Sequence, residues 1–378
     1  MANGGPLVII LEHGPVGAAL FDHPAALVVA WTAAEVRPAL ALLDAARAQG
    51  RWVAGYLAYE AGFALEPALA GLMPQVTGPL LAFGIYDAPM PAPVLPGGKV
   101  LLAALEPLIS QADYGAAFDR VKAYIGAGDC YQINLTFPLE TRLLAGSPLD
   151  LYAALRARQV VGYGAFVDLG VGPVLVSRSP ELFLRLDGGG RIETRPMKGT
   201  APRDADPVED ALLAEGLRNS PKDQAENLMI VDLLRNDIAR SCKVGSVKVP
   251  ELFHVESYAT VHQMVSRVVG QLAQPASLAG VMTALFPCGS ITGAPKIRAM
   301  QIIAEVEPFA RSAYCGTIGW MAPDGSACFN VAIRTLQLQD DRVRLNVGGG
   351  VVYDSTAEGE WQEAMWKTRY AAGLVNPG

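Results

Sequence analysis

The chain has 378 residues, 51% of them hydrophobic and 18% charged, a composition that belongs to a globular protein and excludes a disordered one. That length allows two or three average domains, or a single one with a substantial core. A net charge of −7, with no basic cluster carrying interleaved aromatics, excludes a general attraction to nucleic acid or acidic membranes.

The predicted elements begin with WTAAEVRPALALLDAARAQ (31 to 49), which has helical apolar spacing after a Thr cap, followed by RWVAGYLAYEAG (51 to 62) as strand material. Prolines crowd APMPAPVLPGG (88 to 98), which reads as an extended crossing or an edge loop. It marks a soft boundary between an N-terminal subdomain, 1–111, packed on the rest, and a catalytic core, 112–378. From 112 a helix (ADYGAAFDRVKAYIGAG) leads to the strand CYQINLTFPLET and then to short strands through VGYGAFVDL, GPVLVS, ELFLRL and RIETR. PVEDALLAEGLRN and PKDQAENLMIVDLLRNDIARSC read as consecutive helices. Strands return at VKVPELFHVESYATVHQMVSRVVGQL, AYCGTIGWMA, CFNVAIRTLQLQ and RVRLNVGGGVV, and TAEGEWQEAMWKTRYAAGLV closes the chain as a helix. Strand runs joined by short turns, with helices in blocks, predict an α+β fold of large antiparallel sheets rather than alternating βαβ units. Neither a GxxxxGK[ST] phosphate loop nor a GxGxxG turn is present, so ATP and NAD are not expected.

Five scattered cysteines, Cys130, Cys242, Cys288, Cys315 and Cys328, form no CxxC pair and indicate neither a disulfide framework nor a zinc site. The first Lys or Arg is Arg37, and no run of 18 apolar residues occurs. The expectation is a soluble cytoplasmic protein.

Lys198, in ETRPMKGT (193 to 200), is the residue most suited to chemistry. Pro196 fixes φ one residue before Met197, Gly199 lets backbone approach a ligand, and RIETR before it alternates like a strand, so the amine is aimed. Desolvation or a neighbouring cation such as Arg195 would lower its pKa and make it a nucleophile. A solvated lysine at a strand-to-loop turn has the same local signature, and the motif alone leaves both readings open.

Two predicted helices carry carboxylates three residues apart, Asp223 with Glu226 and Glu360 with Glu363, and at about 3.6 residues per turn each pair shares a face. Such pairs are ordinarily solvated. Here LMIVDLL follows Glu226, and Trp361, Met365 and Trp366 surround Glu363, which brings the acids toward a buried edge where they need a cation. Oxygen-only ligation points to magnesium, which takes one or two carboxylates, waters and substrate oxygens, and so to an anionic substrate. Gly348, Gly349 and Gly350 read as a carboxylate cradle or as a strand bulge. Arg334 and Tyr314 offer a bidentate charge and a hydroxyl.

Taken together, these residues resemble the chorismate-utilising enzymes, and within them the aminodeoxychorismate synthase branch. The resemblance runs over roughly 112 to 375 in matching order: GDCYQINL, SRSPELF, TRPMKGT, KDQAENLMIVDLLRND, VHQMVS, CGSITGAPK, YCGTIGW, AIRT, NVGGGVVYDS and EGEWQEA. AGYLAYE (54 to 60) is similar to the same family but less decisive. Where relatives that add water carry an activating lysine, this chain has Gln132, and where they place an acid before their PLAGT-like string it has Arg195. Anthranilate synthases have alanine where Lys198 stands, and their LLES-type tryptophan-binding string is not found here.

The resemblance implies amination of chorismate at C4 to 4-amino-4-deoxychorismate, on the way to 4-aminobenzoate and folate. It makes Lys198 the nucleophile at C2 and Glu181 the proton donor to the departing hydroxyl. It gives Glu226 and Glu363 to Mg2+, with Asp223 and Glu360 acting through waters. It assigns the enolpyruvyl carboxylate to Arg334, Tyr314 and the backbone of Gly348, Gly349 and Gly350, and lines the pocket with Gln132, Thr200, His262, Thr292 and Lys296. Ala364 stands where relatives commonly have threonine, which weakens any role for a hydroxyl there. No glutaminase-like Cys, His and Glu set is visible, so ammonia is expected from a separate glutamine amidotransferase subunit, and conversion to 4-aminobenzoate from another protein. The rival readings are anthranilate synthase component I and a non-catalytic chorismate- or tryptophan-binding regulator.

Overall fold

The computed structural model describes residues 7–375 apart from 96 and 259–260. Two large sheets, one of 11 strands and one of 10, are built from antiparallel ladders. Ile9, Leu11 and Phe21 of the first share one apolar cluster with Ala54, Tyr56 and Ile318 of the second, so the sheets meet face to face. Burying each such aliphatic side chain contributes about 1.5–3 kcal/mol, which holds the two layers together. The expected α+β architecture is the observed one.

The first sheet is centred on the long pair Gln132–Ala145 and Arg342–Val351, in register from Ile133 opposite Val351 to Arg142 opposite Arg342. The strand Gln132–Ala145 is buried at its first eight positions, which explains why INLTFPL does not alternate. The second sheet ends on an edge strand, Met197–Pro202, paired to Val261–Gln271. Residues 8–91 supply strands to both sheets: Val8–Gly14 pairs with Tyr163–Asp168, and Trp52–Leu57 pairs with Thr317–Met321.

Several elements differ from expectation. The strand predicted over 51–62 stops at Leu57, and Ala61–Leu65 is a short helix. The run from VKV to GQL is a hairpin of Lys248–Ser257 with Val261–Gln271, with 259–260 of that run outside the described residues. The last helix divides into Ala357–Trp366 and Arg369–Ala372, because Thr368 turns its hydroxyl and its N–H back to the Met365 carbonyl. The helix Pro148–Arg158, capped by Ser147 and Asp150, stands where the sequence pattern predicts none. No helix among the described residues is long and apolar enough to cross a membrane.

Two helices carry the paired acids onto the sheets. Pro221–Ala239 packs on Val261–Gln271, and Ala357–Trp366 packs on Arg342–Val351. Trp361 stacks on Phe137 at 4.4 Å, and Tyr114 meets both rings edge-on. Aromatic pairs of this kind add about 0.5–1.5 kcal/mol each beyond burial, and they fix the height of the last helix on the sheet.

Candidate active site

A cleft of about 570 Å³ opens where the edge strand Met197–Pro202, the glycine end of Arg342–Val351 and these two helices converge. Lys198 reaches it because of a β-bulge. Met197 pairs with Val265 and Thr200 with Gln263, so the edge strand carries one extra residue over that interval, and Gly199 sits at φ 90°. The bulge rather than a strand end aims the amine. A Cβ on Gly199 would stand 2.9 Å from Asp223 Oδ1, and Asn227 Nδ2 lies 3.5 Å from the Lys198 carbonyl, so the helix start is bolted to the bulge.

Gly348, Gly349 and Gly350 pair regularly with Thr136, Leu135 and Asn134, which removes the bulge alternative for them. The neighbouring strand Thr335–Gln339 pairs only as far as Leu345, so the other edge of 346–351 has no strand partner among the described residues. Side-chain tips use the missing Cβ space. A Cβ on Gly350 would lie 2.8 Å from Lys198 Nζ and 2.9 Å from Gln132 Cδ, and one on Gly349 would lie 2.6 Å from Glu360 Oε2. The triplet thus leaves room for the amine and an amide at Gly350 and for an acid at Gly349.

Asp223, Glu226, Glu360 and Glu363 all line the cleft, two from each helix. Glu360 accepts from Ser355 Oγ at 2.6 Å, and burial pushes its pKa up. Burial also pushes on Glu363, but the Lys367 ammonium 2.9 Å away, with help from Lys198, outweighs it and holds the carboxyl below its ordinary range. Lys367 also donates to the Gly348 carbonyl at 2.8 Å. Burial lowers the pKa of Lys198; Glu226, Glu363 and Glu181 oppose this and Lys367 adds to it. Arg195 plays no part in that shift, because its guanidinium is engaged with Glu256.

Glu181 is buried beside the cleft with its pKa pushed up to about 7 by desolvation, against the pull of Ser290 and Lys198. Arg334 sits at φ 49°, a strained position for a side chain of that size, and its guanidinium has no hydrogen bond or ion pair among the described residues. Burial lowers its pKa. Tyr314 and Thr200 also line the cleft.

Three expected pocket residues lie elsewhere, and a fourth, Gln132, lies beneath the glycine strand. His262 is buried in the strand Val261–Gln271, its ring held by Asp210 at 2.9 Å and by Ser257 at 2.9 Å. Thr292 gives its hydroxyl to the carbonyls of Cys288 and Gly289. Lys296 is bound by Asp237 and the Leu285 carbonyl. Their hydrogen-bonding capacity is spent inside the fold. Gln132 is off the cleft wall, fully buried under Gly350, with both amide atoms unpartnered. Ala364, fully buried, packs into the core beneath the acids.

The cleft also holds groups that the sequence does not single out: Lys367, Asn346, Tyr370 and Ser290. Among the described residues, Asn346 is buried with neither amide atom partnered, and the Tyr370 hydroxyl has no partner. Lys367 alone carries a signal, a cation one helical turn after Glu363.

Such a cleft, with a desolvated amine, a buried acid, paired carboxylates and a guanidinium without a partner among the described residues, suits a small anion, and comparison with known proteins agrees. The profile of the chorismate binding enzymes matches residues 90–373. Aminodeoxychorismate synthase component 1 of Klebsiella aerogenes is 46% identical over 267 residues, 71% of this chain and 58% of that protein. Anthranilate synthase component 1 of Streptomyces coelicolor is 38% identical over 288 residues, 74% of this chain and 56% of that protein. This chain therefore spans little more than half the length of these relatives. Among solved structures, a 2,3-dihydroxybenzoate-specific isochorismate synthase from Bacillus anthracis superposes with a TM-score of 0.79 at 23% identity, over 97% of this chain and 96% of that one, which shows the shared fold. By sequence profile over three quarters of its length, and by the site it builds, this chain belongs to the chorismate binding enzyme family.

Proposed function

We propose that the protein aminates chorismate at C4 with ammonia, giving 4-amino-4-deoxychorismate. The observation that carries this reading is the Lys198 amine, turned by the bulge into a cleft it shares with the buried acid Glu181. The neutral amine forms a bond to C2, the two ring double bonds shift, and the C4 hydroxyl leaves as water with the proton of Glu181. Ammonia then bonds to C4, the double bonds shift back, and the C2–N bond breaks to return the amine. Two displacements need a nucleophile that leaves again, which a lysine made less basic by burial supplies.

Arg334 and Tyr314, with the open edge of Gly348 to Gly350, hold the enolpyruvyl carboxylate. The donor set facing the ring carboxylate is all oxygen and has acids on two helices. An all-oxygen set of this kind fits magnesium, an ion that keeps waters and substrate oxygens in its shell. Glu226 and Glu363 would hold it, with Asp223 and Glu360 acting through waters, and when bound it would neutralise the ring carboxylate. Ammonia comes from a separate glutamine amidotransferase subunit, a reading supported by the "component 1" in the names of the relatives.

Incubation with chorismate, magnesium and ammonium, followed by mass spectrometry, tests the reading. The expected product is aminodeoxychorismate with its enolpyruvyl group intact. The similarity to anthranilate synthase component 1 favours a second reading, and anthranilate fluorescence without an added lyase would establish it instead.

A further inference from the structure

Ser290 lies in the single turn Gly289–Ile291 on the cleft wall. A Cβ on Gly289 would stand 2.5 Å from Leu233, so the turn is pressed against the helix Pro221–Ala239 and has little room to shift. Ser290 is 8% exposed; its Oγ is 2.7 Å from Glu181 Oε1 and 3.2 Å from Cys288 Sγ. Glu181 is equally constrained. Its N–H donates to Ser179 Oγ at 3.2 Å, and its carbonyl accepts from the Val331 N–H at 3.0 Å. Among the described residues only Oε1 has a hydrogen-bond partner, while Oε2 is left to the cleft.

A protonated carboxyl has one oxygen that accepts and one that carries the proton. Which is which decides whether the acid can reach a leaving group. The Cys288 thiol, kept protonated by burial, lies 3.2 Å from Ser290 Oγ in a contact where either atom can donate, and with the thiol as donor the serine hydrogen is free for Glu181. In that arrangement the donors run from Cys288 through Ser290 and end on Glu181 Oε1. We propose that Ser290 is a positioning residue whose hydroxyl donates to Glu181 Oε1 and so confines the carboxyl proton to Oε2, the oxygen that faces the substrate cleft. This rests on Glu181 being the acid of the proposed reaction. Lys198 is the charged group facing the same carboxyl, and Cys288 is the titratable group behind the serine.

The test uses the full chain with chorismate, magnesium and ammonium across pH, comparing Ser290→Ala, Ser290→Thr and Glu181→Gln, with thermal unfolding as the check on folding. Removing the hydroxyl takes a hydrogen bond from the ionised form, so the alkaline limb of kcat moves up by about one pH unit, while the misplaced proton lowers the plateau about tenfold. Ser290→Thr restores both. In infrared difference spectra, the carboxyl band that is missing from Glu181→Gln moves to higher frequency in Ser290→Ala and returns in Ser290→Thr. An alkaline limb and a carboxyl band both unmoved in Ser290→Ala would overturn the proposal, whatever the fall in kcat. Full turnover by Glu181→Gln would instead strike down Glu181 as the acid, and the two failures are told apart by which variant reports them.

Discussion

Glu60 and Glu181 are both buried, and burial pushes both carboxyls up to about 7, yet they sit in opposite kinds of place. Glu60 accepts at its two oxygens from the N–H groups of Arg311 and Ser312. Behind it, Arg311 is buried, paired through two nitrogens with Glu307, bonded to the carbonyls of Ile291 and Asn134, and packed over Tyr59 at 4.6 Å. Every charge there has its partner, and the network props the back of the wall whose front is the cleft, since Asn134 and Ile291 line it. Among the described residues Glu181 has one oxygen satisfied and one without a partner, in a cleft shared with the unpaired Arg334 guanidinium and the unsatisfied Asn346 amide. A perturbed pKa marks burial; an unspent hydrogen-bonding group marks chemistry.

The sharpest way to break this comparison is to disturb the satisfied side. Arg311→Met leaves Glu307 buried without its cation and should cost about 3–5 kcal/mol in urea unfolding. A loss within about 0.5 kcal/mol would mean the network is not structural. On the cleft side, Gly350→Ala drives a methyl into Lys198 Nζ and Gln132, and steady-state assays should show turnover lowered about 10- to 100-fold with stability nearly kept. The two glutamates should separate by pH. Activity falls as pH rises through about 7, where Glu181 gives up its proton, and Glu60→Gln leaves that limb in place. Glu60 acts on stability instead. Its folded-state pKa is raised from 4.5 to about 7, so the folded state binds the proton more tightly; its stabilisation is full below 4.5 and lost as pH climbs through 7. Unfolding of wild type against Glu60→Gln measures that slope. The smallest effect belongs to His262→Asn, which should cost about 1 kcal/mol and leave turnover within about twofold, since the ring is spent on Asp210 and Ser257.

The sheet class was legible because apolar strand strings and helical strings segregate along the chain, and Lys198 stood out through Pro196 and Gly199. Its bulge was not legible, because the extra residue exists only relative to Val261–Gln271, some sixty positions on. Arg195 looked like the cation beside Lys198 from chain proximity; Glu256, brought in by the hairpin, claims it, and Lys367 from the last helix takes that role. His262, Thr292 and Lys296 belong to strings that match the family, but a string says nothing about which way a side chain points. Ser290 sits inside one of those strings without a signal of its own, since its value lies in a contact with Glu181, 109 residues away.

The most direct measurement is turnover of chorismate with ammonium by Lys198→Ala, run beside magnesium and chorismate binding to the same protein. Loss of most aminodeoxychorismate formation with both bindings kept is the predicted result, whereas undiminished turnover would remove the amine from the chemistry.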